Sequence, residues 1–166
     1  MGKVTTGLVA IEFAPLAADG GPGTAFAKLG YTARDSAKLS QADPTKDDFF
    51  AEELVAAVES NYTPGEITLN WNVMAVDADD LKTIFGGDVT AGPPKKWTAP
   101  DLFNVLEGTI RITPQKGMIT QLNRVTLTPT FDYELSKKGQ LLIKLSGTVL
   151  QPTKAGVKLM TITNPA

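Results

Sequence analysis

The 166-residue chain contains no cysteine and no histidine. Without cysteine there is no disulfide framework, no thiolate nucleophile and no sulfur-ligated zinc. Without histidine the commonest general base is missing, so Ser-His-Asp and Cys-His catalysis are excluded. Carboxylate, lysine or tyrosine chemistry, or an oxygen-ligated metal, is what stays open to an enzyme. Charge is sparse as well, at 20% of residues and a formal net charge of −2. A near-neutral, slightly acidic chain has no electrostatic reason to grip a nucleic-acid backbone. No apolar run approaches the roughly 18 residues of a membrane-spanning helix, and the start carries no secretory leader pattern. The expectation is a soluble domain made inside the cell.

What is present favours strands and turns. Thr and Ala are frequent, beside 15 Gly and 11 Pro. Surface scaling gives roughly 7,900 Å² for the folded chain against about 25,500 Å² unfolded, so about 69% can be buried. One domain over residues 1–166 is therefore expected. The start, Met1-Gly2-Lys3-Val4-Thr5-Thr6, fits the loose myristoylation pattern, for which a start codon followed by a permissive glycine is the simpler account.

Along the chain, residues 4–13 read as a strand with Val9, Ile11 and Phe13 on one face, ended by Pro15. A Gly-rich turn at 18–23 leads to a returning strand over 25–32. That turn lacks the Lys-Ser/Thr ending of a phosphate loop and precedes no helix. Residues 33–49 carry Arg34, Asp35, Lys38, Asp43, Lys46, Asp47 and Asp48 with few large apolar residues, and read as a long loop. Asp43, Asp47, Asp48, Glu52 and Glu53 lack the order of a calcium loop, and lysines interrupt them, so a solvated loop is expected. Residues 53–61 alternate weakly, with Leu54, Ala56 and Val58 in phase.

The clearest strand follows. Ile67, Leu69, Trp71 and Val73 form one face, and Thr68, Asn70, Asn72 and Met74 the other. Asp77 then caps a short helix near 77–86, with Asp79 and Asp80 at its positive end and Gly86-Gly87 as the stop. Leu81, Ile84 and Phe85 share its buried face. Capping accounts for all three aspartates, with magnesium binding as the alternative use. A second excursion over 88–101 holds Lys95, Lys96 and Trp97, too small a basic patch to suggest nucleic-acid binding.

The remaining residues are nearly continuous strand signal: 102–113, 119–133, 141–149 and 157–163. In the second, Val125, Leu127, Phe131 and Tyr133 are in phase, opposite Arg124, Thr126, Thr128, Thr130 and Asp132. Leu122 is out of phase with Val125, which predicts a bulge near Asn123. Pro129 predicts an edge or a bend. Ser136-Lys-Lys-Gly139 is a hairpin turn, and Gly147 marks a bulge or close approach. In all, about eight strands and one short helix predict a mostly β fold, a β-sandwich or barrel.

The order ITLNWNVMAV, DADD, LKTIF and Gly-Gly, followed by a Pro/Gly excursion and long Thr-rich hairpins, resembles the tail tube (major tail) proteins of tailed bacteriophages. The opening GLVAIEFAPLAADGGPGTAFAKLGYT is similar to them too. The resemblance implies a tail-tube-like β-sandwich with one short flanking α-helix and long loops. It implies a structural virion protein rather than an enzyme, with no catalytic residue, cofactor or metal. Copies would join into hexameric rings whose sheets close around a DNA-conducting channel, and the rings would stack through a long loop. Partners would be the chain itself and other tail proteins such as tape measure, terminator and baseplate, with DNA only in transit and no membrane. The location would be the virion tail, assembled in the bacterial cytoplasm. Asp43, Lys46, Asp47 and Asp48 are then candidates for the inter-ring loop. Thr68, Asn70, Asn72, Arg124, Thr126 and Thr128 are candidates for the lumen face, Arg124 needing a carboxylate partner.

Three other readings stay open at this point. A related tail-completion or baseplate ring protein would share the fold. A β-sandwich that binds carbohydrate or protein would use Trp97 and Tyr31 as stacking platforms. A carboxylate hydrolase would need a pair such as Glu53 and Glu59 at about 5–5.5 Å.

Overall fold

The computed structural model describes residues 4–74, 76–134, 136 and 139–164. The Gly2 pattern, and Lys137 and Lys138 of the expected hairpin turn, lie outside the described residues. The fold is mostly β with one short helix, as expected. Its elements begin with β1 (Ala10–Pro15), β2 (Tyr31–Thr32), β3 (Lys38–Gln41) and β4 (Thr45–Phe49). Next come β5 (Glu59–Thr63), β6 (Ile67–Met74), α1 (Ala78–Phe85), β7 (Asp88–Thr90) and β8 (Lys96–Thr98). The chain ends with β9 (Leu106–Thr113), β10 (Ile119–Tyr133), β11 (Leu141–Val149) and β12 (Met160–Thr163).

Eight strands form one antiparallel sheet in the order β1-β9-β10-β11-β6-β2, with β3 also on β6 and β12 also on β10. The sheet curls on itself. Its β1 edge meets residues just before β2, where the N–H groups of Phe13 and Ala27 each donate to the other's carbonyl, at 2.8 and 2.9 Å. A few residues later Tyr31 and Thr32 pair with Met74 and Val73 of β6, at the opposite edge. One short segment thus joins both edges into a barrel-like wall, so the inner face is buried without a second separate sheet. Leu69, Trp71, Val73, Ile110, Leu122, Val125, Leu127, Ile143 and Leu145 fill it, each at most 3% exposed. Gly147, paired between Leu127 and Leu69, leaves room for this core. A Cβ there would stand 2.8 Å from Leu127 and 2.9 Å from Val125. The close approach expected at Gly147 is real.

The bulge is also where the out-of-phase residues placed it: the β9–β10 register shifts between Leu122 and Val125. Asn123 turns inward there and bonds the 157–159 segment, its amide donating to the Lys158 carbonyl at 2.7 Å. The buried Thr109 hydroxyl accepts from Gly23 N–H at 2.8 Å and donates to the Asn123 carbonyl at 3.0 Å. Beyond Leu127 the β9 ladder ends while β11 continues to Tyr133, so Pro129 faces the unladdered side. The helix obeys its caps. Asp77 accepts from the N–H groups of Asp79 and Asp80, Asp80 reaches back to the Asp77 N–H, and Gly86 at φ 80° stops the helix. Phe85 is buried and its ring stacks on Phe131, 4.2 Å between centroids.

The two expected long loops differ from the reading. Residues 33–49 contain β3 and β4, and residues 88–101 contain the β7–β8 hairpin. Lys38–Gln41 and Thr45–Phe49 show no apolar alternation because β4 is exposed along its whole length and β3 nearly so. Their order comes from ladders with β6 and β5 instead. The weak strand expected at 53–61 is shifted. Glu59–Thr63 is the strand, and residues 50–58 form the tip of the β4–β5 hairpin. That hairpin is an arm outside the curled sheet.

Exposed surface is large for this mass. The isolated chain exposes 11,175 Å², where a compact monomer would expose roughly 7,900 Å². Among the described residues no helix is long and apolar enough to cross a membrane.

Candidate functional site

Two surfaces hold the residues that the sequence singled out. The first is the outer face of the sheet. Thr68, Asn70 and Asn72 alternate with buried Leu69, Trp71 and Val73, so they point away from the core. Across one ladder lie Thr148, Ser146 and Lys144 of β11, and beyond those Thr126, Thr128 and Thr130 of β10. On the other side of β6, Ser40 and Lys38 stand opposite Thr68 and Asn70, with the Ser40 and Thr68 hydroxyls 3.3 Å apart. Four adjacent strands therefore present one hydroxyl- and amide-rich face. Residues 68–72 and 126–128, far apart in sequence, are brought together with only β11 between them.

Arg124 sits in the bulge at the margin of this face. Its guanidinium pairs with the Glu107 carboxylate and donates to the Gln151 carbonyl at 2.9 Å. Glu107 stands opposite Thr126, so the arginine has the carboxylate partner it requires. Ser40, Lys38, Ser146 and Thr148 were missed by sequence reasoning. The signal for β11 was available, because Lys144, Ser146 and Thr148 alternate with buried Ile143, Leu145 and Gly147. For β3 there was none.

The second surface is the arm. Asp43 lies in the short link before β4, while Lys46, Asp47 and Asp48 lie on β4, opposite Tyr62, Asn61 and Ser60. Lys46 bridges to Asp48 at 2.9 Å, and the Ser60 hydroxyl donates to the same carboxylate. The Ser60 hydroxyl first, and the Lys46 ammonium second, hold the Asp48 carboxyl below its ordinary value. At the end of β4 and over the tip, Phe49, Phe50, Leu54, Val55 and Val58 are all more than half exposed, Val55 completely. An isolated two-stranded hairpin is marginal in water, and apolar side chains gathered on one mark a contact surface.

No protein-family model matches the chain, and no curated protein matches it. The chain is similar to one in a solved structure of the tail of an empty GTA particle, obtained by helical refinement with C6 symmetry. That similarity has a TM-score of 0.44 at 15% identity, over 95% of this chain and 96% of the other.

The residues of the binding and hydrolytic readings lie apart from these two surfaces or on the arm. Trp97 is half-buried in an aromatic cluster with Phe85 and Phe131, and its indole N–H donates to the Gly86 carbonyl at 2.9 Å. It anchors the β7–β8 hairpin to the helix end, whereas Tyr31 is 68% exposed. Lys95 is engaged by Asp79, whose carboxylate raises the affinity of the ammonium for its proton. Glu53 and Glu59 both stand exposed on the arm, without the burial that tunes a catalytic acid. Among the described residues no group of three or more His, Cys, Asp or Glu side chains is arranged to hold a metal.

Proposed function

We propose that this protein is a structural subunit of a bacteriophage tail tube, assembling as hexameric rings that stack around a DNA-conducting channel. The observation that carries the reading is uncovered surface. A chain of this mass that exposes 11,175 Å² carries roughly 3,000 Å² beyond a compact monomer, and its apolar arm tip has nothing over it. Such surface is what self-assembly buries. In this reading the arm, with Asp43, Lys46, Asp47 and Asp48 at its base and on its first strand, makes the contact between rings.

The polar face supplies the channel wall. Thr68, Asn70, Asn72, Thr126 and Thr128 offer neutral hydroxyls and amides, Arg124 is neutralised by Glu107, and Lys38 and Lys144 are the other cations of the face. A wall with so few cations holds a sliding polyanion only weakly, because retention of nucleic acid scales with the number of phosphates neutralised. Sheet edges shared between neighbours would be hidden from unrelated chains. The protein then has no catalytic task and no cofactor. It is made in the host cytoplasm and resides in the virion, where its partners are copies of itself and the tail proteins at the tube ends.

Sedimentation of the purified protein tests this. Hexamers and larger stacks are expected as concentration rises, and a monomer at every concentration overturns the reading.

A further inference from the structure

The arm tip needs an acceptor. Among the described residues an apolar patch of Val76, Leu81, Pro94 and Trp97 has its Lys95 already engaged by Asp79 and its Lys96 opposed by Asp77, and two other apolar surfaces compete. One is a cleft of about 790 Å³ where the curled sheet stays open. Beyond the Phe13–Ala27 bridge, the lead-in to β1 and the 33–39 segment diverge, because the chain turns at Asp35, with φ 58°, to run into β3. Leu8, Ile11, Leu69 and Ile112 line the cleft, with Arg34 and Lys38 also on its wall. The second surface is at the helix end, where Leu102, Phe103 and Val105 are exposed beside Phe131.

Charge separates them. The arm carries Asp47, Asp48, Glu52, Glu53 and Glu59 against Lys46, a strong negative excess. The helix-end surface adjoins Asp101, Asp132 and Glu134 against Lys82 and Lys96, so it carries no positive excess to attract an acidic tip. The cleft has Arg34 and Lys38, opposed by Asp35 alone among its lining residues. The Arg34–Asp35 contact is 3.8 Å with both side chains more than 90% exposed. Such a contact holds the guanidinium weakly and leaves it available to another carboxylate.

We infer that the open seam of the barrel is the receptor for the arm tip of a second copy of this chain. The apolar side chains at 49–58 enter the cleft, while Glu52 and Glu53 meet Arg34 at its rim. In its own chain the tip is uncovered, so the occupant comes from a neighbour. This inference rests on the tube reading and adds to it the surface on which one subunit receives the next.

The absence of native cysteine makes cross-linking clean. Val55→Cys protein is mixed with Ala37→Cys protein, or in parallel with Leu102→Cys protein, then assembled, oxidised and run on a non-reducing gel. Each sample is also imaged. All three positions are at the surface, and unchanged melting curves establish that the variants fold. The expected result is a disulfide-linked dimer for the Val55/Ala37 mixture and none above background for Val55/Leu102. Rings or tubes without the Val55/Ala37 cross-link, or with Val55/Leu102 in its place, overturn the seam while leaving the tube reading intact. Absence of any self-association overturns both. Charge is tested separately. Arg34→Glu is expected to weaken assembly about tenfold, and Glu52→Lys with Glu53→Lys in the same chain to restore it. Failure to restore overturns the pairing.

Discussion

In the barrel, Leu69, Leu127 and Leu145 are at most 1% exposed; on the arm, Phe50, Val55 and Val58 are 63% exposed or more. Both regions are β-hairpin structure in the same chain, yet only one has a core of its own. In the barrel the inward-facing apolar side chains are satisfied inside the monomer, through the period-two alternation that turns Leu69, Trp71 and Val73 inward. On the arm the apolar residues gather at a turn, where no second layer covers them. The barrel therefore carries the folding core, and the arm does not. Mutations should have opposite readouts in the two places.

The largest effect is expected in the barrel. Leu127→Ala removes a fully buried side chain and should cost about 2–5 kcal/mol in denaturant unfolding. A loss below 1 kcal/mol would mean the curled sheet is not the stabilising unit. Gly147→Val tests packing from the other direction, because its Cβ would stand within 3 Å of Leu127 and Val125. It should cost about 1–3 kcal/mol through overpacking. A neutral result would show slack between β10, β11 and β6.

The helix cap lies between these extremes. Asp77→Ala should lower Tm by about 2–4 °C in a thermal melt. The pH dependence has a definite sign. The Asp80 and Asp79 N–H groups, with the Lys95 charge, hold the Asp77 carboxyl below its ordinary value of 3.8. The folded pKa is below the unfolded one, so the contribution is present above pH 3.8 and is lost as pH falls through the folded value. Asp77→Asn should flatten that part of the acid-unfolding curve, and an unchanged slope would remove the cap charge from the account. Val55→Ser should have the smallest effect on monomer stability, within about 0.5 kcal/mol, while abolishing stacking. A variant that stacks normally would show the tip to be a bystander.

The same division explains what could be read in advance. Strand β6, β10 with its bulge at Asn123, the Asp77 cap and the close approach at Gly147 were legible. Each follows from local periodicity or from a residue with one steric role. Strands β3 and β4 were not, because KLSQ and TKDDF owe their extended form to partners and carry no buried face. Leu54 and Val58 misled in a useful way. Their phase resembled a core strand, but it belongs to a tip with no core beneath it. On the polar face, Thr68, Asn70 and Thr126 were nominated as separate segments. Only pairing through β11 makes them neighbours, and pairing between distant strands is a tertiary fact.

The central claim is that surface left uncovered in this chain is covered by further copies of it. Negative-stain electron microscopy of the purified protein tests that claim most directly. Six-fold rings with a central channel, stacking into tubes as concentration rises, are predicted. Fields of dispersed single subunits at high concentration would contradict it.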